Sequence, residues 1–102
     1  MHVVTSFSDY QSCLGTAFRV DDEEAGVVPL TLTSATVVHD TPRQFVFSLL
    51  FAAPPPLLPQ KTHRLHHDRL GELHLFLVPV GQTSDGFTYE AAFNLLRAPE
   101  SV

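Results

Sequence analysis

From Ala17 to Asn94 the apolar side chains recur at every second position, in short runs separated by turn-forming residues. A period of two belongs to a strand, whose successive side chains point to opposite faces, whereas a helix repeats every 3.6 residues. Phe18 and Val20 open the series. Val28, Leu30 and Leu32 follow, alternating with Pro29, Thr31 and Thr33 and continuing toward Val38. Phe45, Phe47, Leu49 and Phe51 make the strongest run. Thr62–His67, Leu73–Val80 and Phe87–Asn94 complete six strands. Polar turns separate them at Asp21–Gly26, His39–Pro42, Asp68–Gly71 and Gly81–Gly86. These connections are too short for parallel crossovers, which need a dozen residues or more, so the strands pair antiparallel.

Two segments break the alternation. Phe7, Tyr10 and Leu14 stand at helical spacing, which predicts a short helix over about residues 5–14, capped by Thr5 or Ser6 and ended at Gly15. Pro54, Pro55, Pro56 and Pro59 make a stiff extended connection that belongs neither to a helix nor to a central strand. Pro29 lacks a donor for the strand ladder and belongs at an edge, a bulge or a strand's first residues. The reading is an all-β domain over residues 1–102: about six antiparallel strands in a small barrel or tight sandwich, one short N-terminal helix, and a frayed tail at 98–102. An open curved sheet covered by the helix is the second architecture.

Composition excludes several function classes. With 44% hydrophobic and 17% charged residues, the 102-residue chain has material for a core and is not a disordered segment. The net charge of −5 argues against nucleic acid, whose binding needs a basic face. No apolar run is long enough to span a bilayer, and no signal peptide is visible at Met1–Thr5. The expected location is cytoplasmic, with export by another route left open. Cys13 is the single cysteine, so no internal disulfide forms.

The six histidines are the first place to look for chemistry. His63, Leu65 and His67 point one way along their strand, and Arg64, His66 and Asp68 the other. Residues four apart on a strand are separated by about 13 Å, too far to share a zinc with bonds of ~2 Å. A metal site would need His74 or His39 from a neighbouring strand; His66 and His74 could face each other across the Asp68–Gly71 turn, with Asp68 nearby. The simpler expectation is no metal and no cofactor, with His67 hydrogen-bonded and partly buried and the other histidines solvated. Cys13 near a helix C-terminus is poorly placed to stabilise a thiolate. Ser48 lies mid-strand without a Gly-x-Ser-x-Gly elbow. Asp21–Glu24 lacks the spacing of a calcium loop, and Gly81–Gly86 lacks the end of a phosphate loop. No catalytic set is visible.

One anomaly remains. A strand with one face in water should be polar on that face. Val46 and Leu50 in one strand, and Phe76, Val78 and Val80 in another, are apolar on the side opposite the larger side chains. Either the helix or a filled interior covers them, or they form an interaction face.

Phe7 with Leu14-Gly15-Thr16-x-Phe18-x-Val20, Phe47-Ser48-Leu49-Leu50-Phe51, Leu58-Pro59-Gln60, Leu65-x-His67-x-x-Leu70-Gly71-x-Leu73-x-Leu75-Phe76-Leu77-Val78-Pro79-Val80 and Tyr89-Glu90-Ala91-x-Phe93-Asn94 are motifs spread over nearly the whole chain. In these it resembles an uncharacterised family of bacterial domains, roughly a hundred residues long and of unknown function. The chain departs from that pattern at His63, where the family tends to carry tyrosine, and at Ala52–Pro56, where a glycine-proline pair is expected. The resemblance implies an accessory to phage-tail-like structures, encoded near tail-collar-like proteins. The functional expectation is a non-enzymatic interaction or assembly module that binds a protein partner or itself, with a two-fold dimer as the default. The alternative is a small-ligand-binding barrel or a minor enzyme using a histidine cluster.

Overall fold

The computed structural model describes residues 6–96. Helix α1 (Phe7–Gln11) is followed by β1 (Ala17–Asp22), β2 (Gly26–Thr41), β3 (Gln44–Ala53), β4 (Lys61–His67), β5 (Gly71–Thr83) and β6 (Gly86–Leu96). All pairings are antiparallel, and the strands close a ring in the order β1-β2-β3-β6-β5-β4. The chain is therefore two three-stranded meanders, β1-β2-β3 and β4-β5-β6, joined through β3–β6 and β1–β4. Pairing of Arg19 with His66 and Val20 with Leu65 completes the ring, so the open curved sheet is not formed.

Alternation decides what lies inside. Phe18 and Val20, Val28 to Leu32, Phe47 to Ala53, His63 to His67, Leu73 to Leu77, and Tyr89 and Ala91 all bury every second residue. Two bulges in β2, between Leu32 and Ser34 and between Val37 and His39, shift the phase. Val37 thereby pairs opposite Phe47 yet stays 42% exposed, and Val38, within the second bulge, is 56% exposed. β2 also runs through His39, Asp40 and Thr41, where a turn was expected, and the β2–β3 turn is confined to 42–43. Pro29 sits near the start of β2, where β2 pairs with β1 alone because the β3 ladder begins at Thr31.

The ring is not paired along its whole length. β5 and β6 pair from Val78↔Glu90 to Thr83↔Gly86, while β6 beyond Glu90 follows β3. At that end, α1 and the turn after it occupy the space between the separating strands. Phe7 packs edge-on to Phe45 and Phe47, with centroids 5.9 and 5.2 Å away. Tyr10 lies 5.6 Å from Phe93, and Cys13 is fully buried. Gly15, at φ +81°, adopts the left-handed conformation the turn needs and donates its N–H to the Leu32 carbonyl.

The helix is shorter than the predicted 5–14. It ends at Gln11, and Cys13, not Leu14, points into the core. Ser6 is the cap; Thr5 and the tail at 98–102 lie outside the described residues. At the other end, the proline-rich segment 54–60 crosses from β3 to β4. It buries Leu58, whose N–H donates to the Tyr89 hydroxyl at 2.9 Å.

Candidate functional site

The five apolar residues of the expected interaction face lie outside the ring. Val46 and Leu50 on β3 are half-buried, as is Val78 on β5, and Phe76 and Val80 are each 52% exposed. They do not form one patch. β6 runs between the two groups and places Glu90 opposite both Leu50 and Val78, and Asn94 opposite Val46. The Glu90 carboxylate accepts from the Ser48 hydroxyl at 2.7 Å, and Asn94 accepts from the Gln44 amide at 2.9 Å. A polar stripe thus separates Val46 and Leu50 from Phe76, Val78 and Val80. The helix does not cover this outer side. Its aromatic residues pack on Phe45, Phe47 and Phe93, which belong to the inward face.

His66 and His74 do not face each other. The β4–β5 register sets His66 opposite Glu72 and Arg64 opposite His74, so the two imidazoles are diagonal. Asp68 is paired with Arg19 at 3.0 Å, and His74 meets Glu72 at 3.2 Å. Among the described residues, no group of three or more His, Cys, Asp or Glu side chains is placed to hold a metal ion.

Among the described residues two histidines are buried, not one. His63, 3% exposed, donates from Nε2 to the Pro59 carbonyl at 2.7 Å and so ties the proline segment to β4. Its alternation with Leu65 and His67 was the signal for this, because a residue in phase with a core leucine shares its face. His67, 6% exposed, links the 68–70 turn to Thr16. Burial is the main cause that holds its imidazole below the ordinary value, with Arg69 and Arg19 acting in the same direction and Asp68 opposing them.

The other candidate groups have structural partners. Asp22 accepts the N–H groups of Ala25 and Glu24 and closes the β1–β2 turn, and the Ala25 bond is the largest cause of its lowered pKa. Asp9 is held low chiefly by the Ser6 N–H at the helix cap. Burial pushes the Tyr10 phenol up to about 12. The barrel rim carries a groove of about 350 Å³ lined by Asp21, Glu23, Lys61, Thr62, His63 and Arg64. A second, of about 300 Å³, lies among Pro29, Thr31, Ala53, Pro54, Asp85 and Phe87. The first sets cations beside carboxylates, with Arg64 3.7 Å from Asp21.

No helix among the described residues is long and apolar enough to cross a membrane. Neither a curated protein nor a solved structure matches the chain. A family model does match, over residues 5–93, and its description is a domain of unknown function, DUF6916. The match extends from before α1 to Phe93 in β6, taking in the buried alternation of every strand, and on it the chain belongs to the DUF6916 family.

Proposed function

We propose that this domain is a non-enzymatic interaction or assembly module, and that it binds a protein partner or a second copy of itself through the outer face of β5. The observation behind this reading is the exposure of Phe76 and Val80, with half-buried Val78 on the same strand. Inside the ring, Phe18, Leu30, Leu32, Phe51 and Leu77 are fully buried, so the domain has a complete core without these residues. Apolar side chains left outside a filled barrel are what an interaction surface is made of. The non-enzymatic part draws on the same geometry: the ring nitrogens of His67 and Nε2 of His63 are engaged with structural partners.

Sedimentation velocity across a concentration series tests the proposal. Wild type associates, and Phe76→Glu combined with Val80→Glu shifts it to monomer while the β-type circular dichroism stays unchanged. A wild type that stays monomeric throughout, and whose cross-linking pattern in its own cells matches that of the double variant, overturns it. The family resemblance extends the proposal to an accessory role in a phage-tail-like structure. In that role wild type co-sediments with assembled particles and the double variant does not.

A further inference from the structure

The junction between the segment after α1 and the 68–70 turn is built around one imidazole. His67 Nδ1 accepts the N–H of Arg69 at 3.0 Å and that of Leu70 at 3.2 Å. A ring nitrogen that accepts carries no proton, so the proton of the neutral ring is on Nε2. Nε2–H donates to Thr16 Oγ1 at 2.8 Å, and the Thr16 hydroxyl donates to the Cys13 carbonyl at 2.6 Å. The donors therefore run one way, from the turn amides through the imidazole to the residues that follow the helix. The ring also packs on Phe18, with centroids 4.3 Å apart.

This arrangement accepts the neutral ring and rejects the imidazolium. A proton on Nδ1 would point at two backbone N–H groups, on exposed Arg69 and half-buried Leu70, and leave both without their acceptor in the turn. The charged groups acting on the ring are Asp68 and Arg69 on the turn and Arg19 on β1. Asp68 is the one that would favour a charged ring, and it is engaged with Arg19 at 3.0 Å. The segment is also held by the aromatic packing of Phe7 and Tyr10 and by two backbone hydrogen bonds to β2, Gly15 N–H to the Leu32 carbonyl at 2.8 Å and Leu32 N–H to the Thr16 carbonyl at 3.1 Å, none of which titrates near neutral pH.

We propose that His67 is a proton-operated latch: protonating Nδ1 releases the 68–70 turn and Thr16, and α1 with residues 12–16 lifts from its end of the barrel while the strand ring stays folded. The sign follows from the geometry. The closed form holds the ring neutral, and the opened ring titrates at its ordinary value of 6.5. The latch is therefore fully closed above that value and weakens as pH falls below it.

Cys13 reports the opening because its thiol is fully buried beneath this segment. The experiment measures its rate with a pyridyl disulfide, divided at each pH by the rate of N-acetylcysteine to cancel thiolate ionisation. Between about pH 7.5 and about pH 5.5 the normalised rate of wild type rises, approaching about tenfold, the limit set by an opened ring of ordinary pKa. The β-type circular dichroism stays constant over that range. His67→Gln, whose amide does not titrate, gives a flat profile, and His63→Gln keeps the rise. A wild-type change below about twofold overturns the proposal, as does a rise that persists in His67→Gln or that accompanies loss of the β signal. If His67→Gln does not fold, nitrogen NMR of wild type decides. A His67 ring that titrates at its ordinary value, with no faster exchange of the Arg69 and Leu70 amides, overturns the latch; a depressed value with faster exchange supports it.

Discussion

Phe47 shows how much a single side chain carries in this barrel. It is 1% exposed, lies parallel to Phe93 at 4.5 Å, and takes Phe7 on its edge at 5.2 Å. Removing the ring leaves a cavity where β3, β6 and α1 meet, so Phe47→Ala is expected to cost about 3–5 kcal/mol in urea denaturation. A loss under about 1 kcal/mol would contradict the inward placement of the ring. The alternation made Phe47, Leu49 and Phe51 legible as core from sequence, because the side-chain period of a strand is fixed by its backbone. The partners of His67 were not legible. Nδ1 meets its own turn, but Nε2 meets Thr16, which is 51 residues away.

Helix α1 shows the limits of local signals at the scale of an element. Its five residues are too few to stand alone and depend on the cap and on docking. Ser6 Oγ accepts the Asp9 N–H, and the Asp9 carboxylate accepts the Ser6 N–H at 2.9 Å, which is a capping box. Ser6→Ala is expected to lower stability by about 1 kcal/mol, read as a drop in melting temperature of about 4–8 °C. An unchanged melting temperature would show that α1 folds independently of its cap. The spacing of Phe7, Tyr10 and Leu14 suggested a longer helix, yet Leu14 is 43% exposed. After Gln11 the chain tightens, with the Cys13 N–H donating to the Tyr10 carbonyl, and this turns Cys13 inward in place of Leu14. The bulges in β2 are a similar case: a residue added on one strand is defined only against its partner.

For the molecule as a whole, closure of the ring is uneven. β3 pairs with β6 from Gln44↔Leu96 to Ala53↔Phe87 and is flanked by β2 on its other side. The β1–β4 seam is made at Arg19↔His66 and Val20↔Leu65, with the exposed pairs Arg19–Asp68 and Arg64–Asp21 adding little. Native-state hydrogen exchange should therefore find the slowest amides in β3 and earlier opening along β1 and β4. Seam amides as well protected as those of β3 would contradict this order. The same unevenness leaves the strands apart at the α1 end, where the proposed latch acts.

The sequence by itself determined the strand count, their antiparallel sense, the short helix and nearly all of the inward residues, since each follows from a backbone period or a short connection. It also singled out Phe76, Val78 and Val80 as apolar residues on the outer side. Only the tertiary structure decided which strands are neighbours. Pairing of β6 with β3 placed Glu90 between Leu50 and Val78 and split the expected face, and the β4–β5 register left His66 diagonal to His74. Closure also brought Thr16 to His67. Side-chain phase is a property of one strand, whereas register and strand order are properties of pairs, settled by packing among residues distant in the chain.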